Sequence, residues 1–258
     1  MEIRVLGAHC LESYDTRHTC FLIDGVLAVD AGSLASALTG EEQSRVLAVL
    51  LTHLHFDHIR DLPTVGLATL NEPKPIDLYS LLETRESVKR HILNSQMYPD
   101  LTQPLGSSPP KYRFNLIQAR VPFEVLSYQV NPIPVLHPVP TVGFVVESDA
   151  GGRVAYTGDT SGELLPFFQG TSAPSVLFVE VTFPDRLADL AQLTGHLTPA
   201  TLGCQVEAAL AAGLTVPRLV VVHMRPEHEE ELLDQLTTLA RKLGIDLTLG
   251  HEGMRVIV

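Results

Sequence analysis

The sequence of 258 residues predicts an α/β fold, two sheets lying together with helices on their outer faces. Two observations carry this. Short apolar runs crowd the first fifty or so positions and return from about 142 onward, while helical patterns fill the stretches between and after them. The candidate chemistry sits where apolar runs end at polar residues, which is where strand-end sites form.

The elements follow in order. Strands are expected at 3–6, 19–23, 26–30 and 46–51, rich in Val, Ile and Leu and separated by Gly or Asp turns. Asp24-Gly25 between two apolar runs signals a tight hairpin. Helical patterns follow at about 60–70 and 83–95. The stretch 71–140 is rich in proline, and Gly106-Ser107-Ser108-Pro109-Pro110 marks an exposed loop. The region near 95–120 is therefore expected to be an insertion or cover over the core of a single domain spanning 1–258. Strands at 142–147, 153–156 and 175–181 come next. Thr198 and Pro199 supply the N-cap and first position of a helix to about 212, stopped by Gly213. A buried strand at 218–222, an amphipathic helix at 227–243 ending at Gly244, and strands at 246–249 and 254–258 complete the chain.

Composition narrows the function classes. Hydrophobic residues make up 45% and charged residues 19%, which excludes a disordered chain. Three cysteines exclude a disulfide scaffold and are expected as buried thiols in a reducing cytosol. No leader pattern and no apolar run long enough for a bilayer is visible, so a cytoplasmic protein without a membrane partner is expected. Eighteen Lys+Arg stand against 30 Asp+Glu, a net charge of −12 with histidine neutral. That balance argues against long nucleic acid as a partner. It leaves a small anionic substrate open, because a bound metal reverses the local sign. Eleven histidines are a high load, and their placement decides the rest.

His53, His55, Asp57 and His58 lie within six residues directly after an apolar run. Imidazole with carboxylate suits zinc, manganese or iron, and the lack of cysteine argues against a structural zinc knuckle. Two ligand pairs in one loop serve two neighbouring divalent metals.

This loop matches the H-x-H-x-D-H signature of the metallo-β-lactamase superfamily, and the resemblance extends along nearly the whole chain. Val29-Asp30-Ala31-Gly32 looks like the family's early strand-end aspartate turn. His137, the Tyr156–Thr160 stretch ending Gly158-Asp159-Thr160, and Leu219–His223 resemble its later ligand motifs. The resemblance implies a four-layer αββα sandwich. It places His53, His55 and His137 on one metal and Asp57, His58 and His223 on the other, with Asp159 bridging. Zinc is the expected ion.

Glu180 and the Gly195-His196-Leu197-Thr198 stretch resemble the phosphodiesterase branch of the superfamily, shared by class II cyclic-nucleotide phosphodiesterases and ribonuclease Z. There the histidine acts as general acid and the glutamate orients it, so His196, Glu180 and Asp57 are the catalytic candidates. The resemblance implies attack by a metal-bridging hydroxide while His196 protonates the departing ribose oxygen. An alkoxide is a poor leaving group, so a proton donor helps. A helix start just after His196 disfavours imidazolium, and a carboxylate from Glu180 would oppose that effect.

His91–Leu101 resembles a segment of the class II phosphodiesterases, which makes Asn94 and Tyr98 candidate substrate contacts, Tyr98 by stacking on a purine. A packed helix end with a proline stop is the alternative for both. The expected substrate is thus a small phosphodiester, foremost a 3′,5′-cyclic nucleotide. A tRNA 3′-endonuclease, a lactonase and a nucleotide sensor without turnover are the other readings. Only 20 residues separate Asp159 from Glu180, too few for the RNA-gripping arm of ribonuclease Z. Related branches are often dimers, and the proline-rich cover is a candidate homodimer interface. Phe56 and the run Ile59-Arg60-Asp61-Leu62 depart from the family pattern, and Arg60 or Asp61 is expected to reshape the pocket mouth.

Overall fold

The computed structural model describes residues 1–169 and 173–258. The first sheet begins with β1 (Glu2–Gly7), β2 (Cys20–Ile23), β3 (Leu27–Val29) and β4 (Ala48–Leu50). Helices α1 (Leu34–Ala37), α2 (Gly40–Arg45), α3 (Phe56–Ile59) and α4 (Leu62–Ala68) lie around β4 in sequence. Then come β5 (Ile76–Ser80), α5 (Leu82–His91) and β6 (Tyr112–Leu116). The second sheet is built from β7 (Phe123–Val125), β8 (Tyr128–Val135), β9 (Thr141–Ser148), β10 (Arg153–Tyr156), β11 (Val176–Glu180), β12 (Arg218–Val222) and β13 (Leu247–Leu249). Its helices are α6 (Leu165–Phe168), α7 (Ala188–Thr194), α8 (Pro199–Ala211) and α9 (Glu229–Leu243). β14 (Arg255–Ile257) returns to the first sheet, antiparallel to β1.

Among the described residues each sheet has seven strands, ordered β14-β1-β2-β3-β4-β5-β6 and β13-β12-β11-β10-β9-β8-β7. Strand alternation divides the apolar residues between two cores. Phe21, Ile23, Leu27, Val29, Ala48 and Leu50 face the second sheet. Their neighbours Leu22, Ala28, Val49 and Leu51 face the other way, onto Leu34, Leu62, Val65 and Val88 of the helices. The second sheet buries its outer face under Leu202 and Val206 of α8 and Leu232 and Leu236 of α9. The layers run helix, sheet, sheet, helix, an αββα sandwich.

The local signals that placed the elements are present. Asp24 and Gly25 both take positive φ, 49° and 74°, as a two-residue hairpin turn of this hand requires. Thr198 caps α8 by accepting from Thr201 N, and Pro199 holds the first position. Gly244 ends α9 at φ 64°. Among the described residues no helix is long and apolar enough to cross a membrane.

The expectation for 95–120 is corrected in part. Residues 112–116 are β6, paired in parallel with β5, so they extend the first sheet. Leu101 and Tyr112 are buried in the core between that sheet and its helices. Tyr-Arg-Phe-Asn-Leu does alternate apolar and polar residues as a strand should, but the run is short and lies between prolines, so it reads as part of the cover.

Candidate metal centre

Each candidate ligand leaves a strand end, and the strand ends of both sheets meet at one place. His53 lies just past β4, and His55, Asp57 and His58 lie on or beside the single turn of α3. His137 follows β8, Asp159 follows β10, and His223 directly follows β12. The local chain is shaped to allow this. Asp30, Gly158 and His223 sit at φ near 60°, a conformation that costs a side-chain-bearing residue about 1–3 kcal/mol. Gly32 lies against the backbone of Asp57, where a Cβ would collide with the Asp57 carbonyl. The Asp30-Ala31-Gly32 turn thereby seats the ligand loop, with Ala31 N donating to His58 O at 2.7 Å.

Two ligand sets form around a shared carboxylate. His53, His55, His137 and Asp159 make one, and Asp57, His58, His223 and Asp159 the other, with ligand atoms in each set within 4.8 Å of one another. The second set is held close: His223 Nε2 lies 3.2 Å from Asp57 Oδ2 and 3.4 Å from Asp159 Oδ2. His58 Nε2 lies 3.3 Å from each of those oxygens.

Hydrogen accounting assigns the imidazole lone pairs. His58 Nδ1 donates to Asp30 Oδ2 at 2.7 Å and His137 Nδ1 to the Gly195 carbonyl at 3.0 Å. The Thr52 hydroxyl donates to Asp30 and accepts from His53 Nδ1 at 3.0 Å. The Thr182 hydroxyl donates to Glu180 Oε2 and accepts from His223 Nδ1, both at 2.9 Å. Each of these four rings therefore turns an Nε2 lone pair inward. His55 offers Nδ1, 3.0 Å from His53 Nε2 and 3.1 Å from His137 Nε2.

Lone pairs facing lone pairs and carboxylates repel unless a cation lies between them. Buried His58 Nε2 and Asp159 Oδ1 have no hydrogen-bond partner among the described residues. Nitrogen and carboxylate donors without sulfur, each ring oriented from behind, fit divalent zinc-like ions. The electrostatics agree. Burial and the surrounding imidazoles hold His53 well below the usual histidine range. Burial also works against a charged His58, yet Asp159, Asp57 and Asp30 together raise it well above that range. Asp159, buried as it is, is held well below the carboxylate range by His223 and His58. The pocket is built to hold positive charge.

His196 and Glu180 stand beside both sets. Glu180 is fully buried at the end of β11, where Oε1 accepts from Thr160 N at 3.0 Å and from His196 Nδ1 at 2.9 Å. Burial opposes a charged His196, but the Glu180 carboxylate outweighs it and raises the imidazole to about 9. The ring packs 5.3 Å from both the His137 and His223 rings, centre to centre. This arrangement can orient a bound anion between two cations and hand it a proton from one side.

The seven expected ligands, Glu180 and His196 thus come together. Asn94 and Tyr98 do not join them. Both polar ends of the Asn94 side chain serve its own backbone, donating to Arg90 O and accepting from Gln96 N and Met97 N. Tyr98 packs against the outer core and lines a separate hollow formed by residues 95–105. The helix-end alternative is the correct one for both. Sequence reasoning missed Thr52 and Thr182, which hold the rings from behind. It noted Asp30 only as a turn. A hydroxyl residue next to a ligand, as in Thr52-His53, is the signal that was there to use.

Comparison with known proteins agrees with this geometry. Residues 19–224 match the model of the Beta-lactamase superfamily domain. The chain belongs to that superfamily. Ribonuclease Z of Bradyrhizobium diazoefficiens is 31% identical over 143 residues, 55% of this chain and 41% of that relative, so the match spans less than half the relative's length. Among solved structures, unliganded yeast PDE1 superposes with a TM-score of 0.80 at 16% identity, covering 100% of this chain and 99% of that one. The metallo-beta-lactamase fold protein YhfI of Bacillus subtilis superposes with a TM-score of 0.77 at 18% identity, covering 99% of both chains. At such identities the likeness is one of fold, and it places this superfamily chain among metallo-β-lactamase folds.

Proposed function

We propose that this protein is a metal-dependent phosphodiesterase whose foremost substrate is a 3′,5′-cyclic nucleotide. The observation that carries the reading is the Glu180–His196 pair, 2.9 Å apart beside both ligand sets. Ribose O3′ leaves phosphorus as an alkoxide, and a donor held at that oxygen supplies the proton it needs.

His53, His55, His137 and Asp159 would hold one divalent ion, and Asp57, His58, His223 and Asp159 the other, with zinc best matched to the donors. When bound, such ions neutralise phosphoryl oxygens and supply a nucleophilic water at neutral pH. The residues themselves do the rest. His196 is tied through Nδ1 to Glu180, which leaves Nε2 to donate to the leaving oxygen. Glu180 keeps that proton in place at neutral pH. Thr182 locks the glutamate and His223 together through one hydroxyl. The net charge of −12 supports a small substrate over long RNA.

The sequence match to a ribonuclease Z favours a second reading, tRNA 3′ processing. Both are tested by giving the zinc-loaded protein cyclic AMP, cyclic GMP, bis(p-nitrophenyl) phosphate and a labelled precursor tRNA. Conversion of a cyclic nucleotide to the 5′-monophosphate is expected. Turnover of none of the diesters by protein with both ions bound overturns the reading, and cleavage of the precursor tRNA alone replaces it with the second.

A further inference from the structure

A cavity of about 600 Å³ opens on the His196 side of the metal cluster, with His137 and His196 in its wall. Its size is that of a small-molecule site. We infer that it is the leaving-group subsite and that it takes an uncharged nucleoside, with Gln192 and Asp189 as its specificity determinants. This rests on the phosphodiesterase reading above.

Position comes first. A general acid must lie within hydrogen-bond reach of the oxygen it protonates, so the departing group occupies the His196 side. The cavity wall then states what that group is. Leu136 is 65% exposed beside His137, and with Pro138 it offers an apolar face for a flat ring. Gln192 and Asp189, on the exposed side of α7, have no side-chain partner among the described residues, and both line the cavity. A free amide donates and accepts at once, which suits the edge of a nucleobase. A free carboxylate accepts from hydroxyl or amino groups and repels a phosphate. None of the lining residues is Lys or Arg, so nothing there would neutralise a second phosphate. A nucleoside fits these terms. A polynucleotide whose leaving side carries another phosphate does not.

The test uses two diesters that differ only in that charge, adenylyl-(3′→5′)-adenosine with and without a 5′-phosphate. Water adds across the P–O3′ bond, O3′ takes the proton, and the departing group is adenosine or its 5′-phosphate. The wild type is expected to prefer the unphosphorylated diester in kcat/KM, and Asp189→Lys to shrink that preference about tenfold. Gln192→Ala is expected to lower kcat/KM for cyclic AMP about tenfold relative to bis(p-nitrophenyl) phosphate, through KM. Both positions are exposed, so these variants keep the fold. Adenosine binding, followed by calorimetry, should weaken in Gln192→Ala. Unchanged ratios in both variants, or a wild-type preference for the phosphorylated diester, overturn the subsite while leaving the phosphodiesterase reading intact. If no diester is cleaved, the reading of function fails, and adenosine binding alone decides the cavity: loss in Gln192→Ala supports it, and no binding overturns it.

Discussion

His58 donates through Nδ1 to Asp30 Oδ2 across 2.7 Å, and neither side chain reaches solvent. The same carboxylate accepts from the Thr52 amide at 2.8 Å and from the Thr52 hydroxyl. One buried aspartate therefore aims rings in both ligand sets, His58 directly and His53 through Thr52. Such partners of ligating histidines fix the tautomer and raise ring basicity.

Asp30→Asn should separate this positioning role from backbone shape, because asparagine tolerates the positive φ found there. Metal affinity is expected to fall about 10–100-fold. Competition with a chromophoric chelator, alongside far-ultraviolet circular dichroism, would measure it. Unchanged affinity in a folded variant would remove Asp30 from the centre.

His196→Ala should cut turnover of a cyclic nucleotide by about 10²–10⁴. Nitrophenolate leaves without a proton, so the loss on bis(p-nitrophenyl) phosphate should be far smaller. Comparing kcat on the two substrates checks this. Equal losses on both would argue that His196 shapes the site without donating a proton.

The charge on His196 has a pH signature. Its pKa is raised, to about 9, so the imidazolium persists through neutral pH. The stability gained from the Glu180 contact is fully present below the ordinary histidine value and is lost as pH rises through about 9. In Glu180→Gln the carboxylate is gone and burial remains, so the pKa should drop below the ordinary value. Titration of the His196 ring resonances by NMR in zinc-free protein reads both numbers. A wild-type value at or below 6.5 would contradict the pairing.

Gly195 is a tight backbone position beside the ligand His137. Its φ is 80°, and an added Cβ would lie 2.8 Å from His137 Nδ1 and collide with the Pro138 ring. Its carbonyl is also the acceptor that orients His137. Gly195→Ala should therefore destabilise the fold by about 1–3 kcal/mol and weaken ions held by the His137 set. Chemical denaturation and metal content after dialysis are the measurements. A variant with native stability and full metal content would show that the loop yields freely.

The centre was legible in the sequence because its ligands obey local rules. His53 through His58 follow an apolar strand within one loop, and His223 closes the run Leu219–Val222, fully buried. Asn94 and Tyr98 were misplaced because their pattern fits a helix end equally well, and only the fold shows Asn94 spending its amide on local backbone. Thr182 joins Glu180, His196 and His223, residues up to 41 positions away, through one oxygen. No linear pattern announces such a hub. β6 escaped notice despite its apolar–polar alternation, because the run is short and its flanks are rich in proline.

The two ligand sets draw on both sheets: four ligands come from the loop after β4, and three from the ends of β8, β10 and β12. Neither half of the chain holds a complete set. Residues 1–116 and 121–258, expressed apart, would each carry a fragment of the centre with weak affinity of its own. Mixed together, they would present the full donor set only after docking sheet to sheet. Zinc uptake would then serve as a fluorescence-free tally of reassembly, and the ion would act as a rivet driven through the seam of the sandwich.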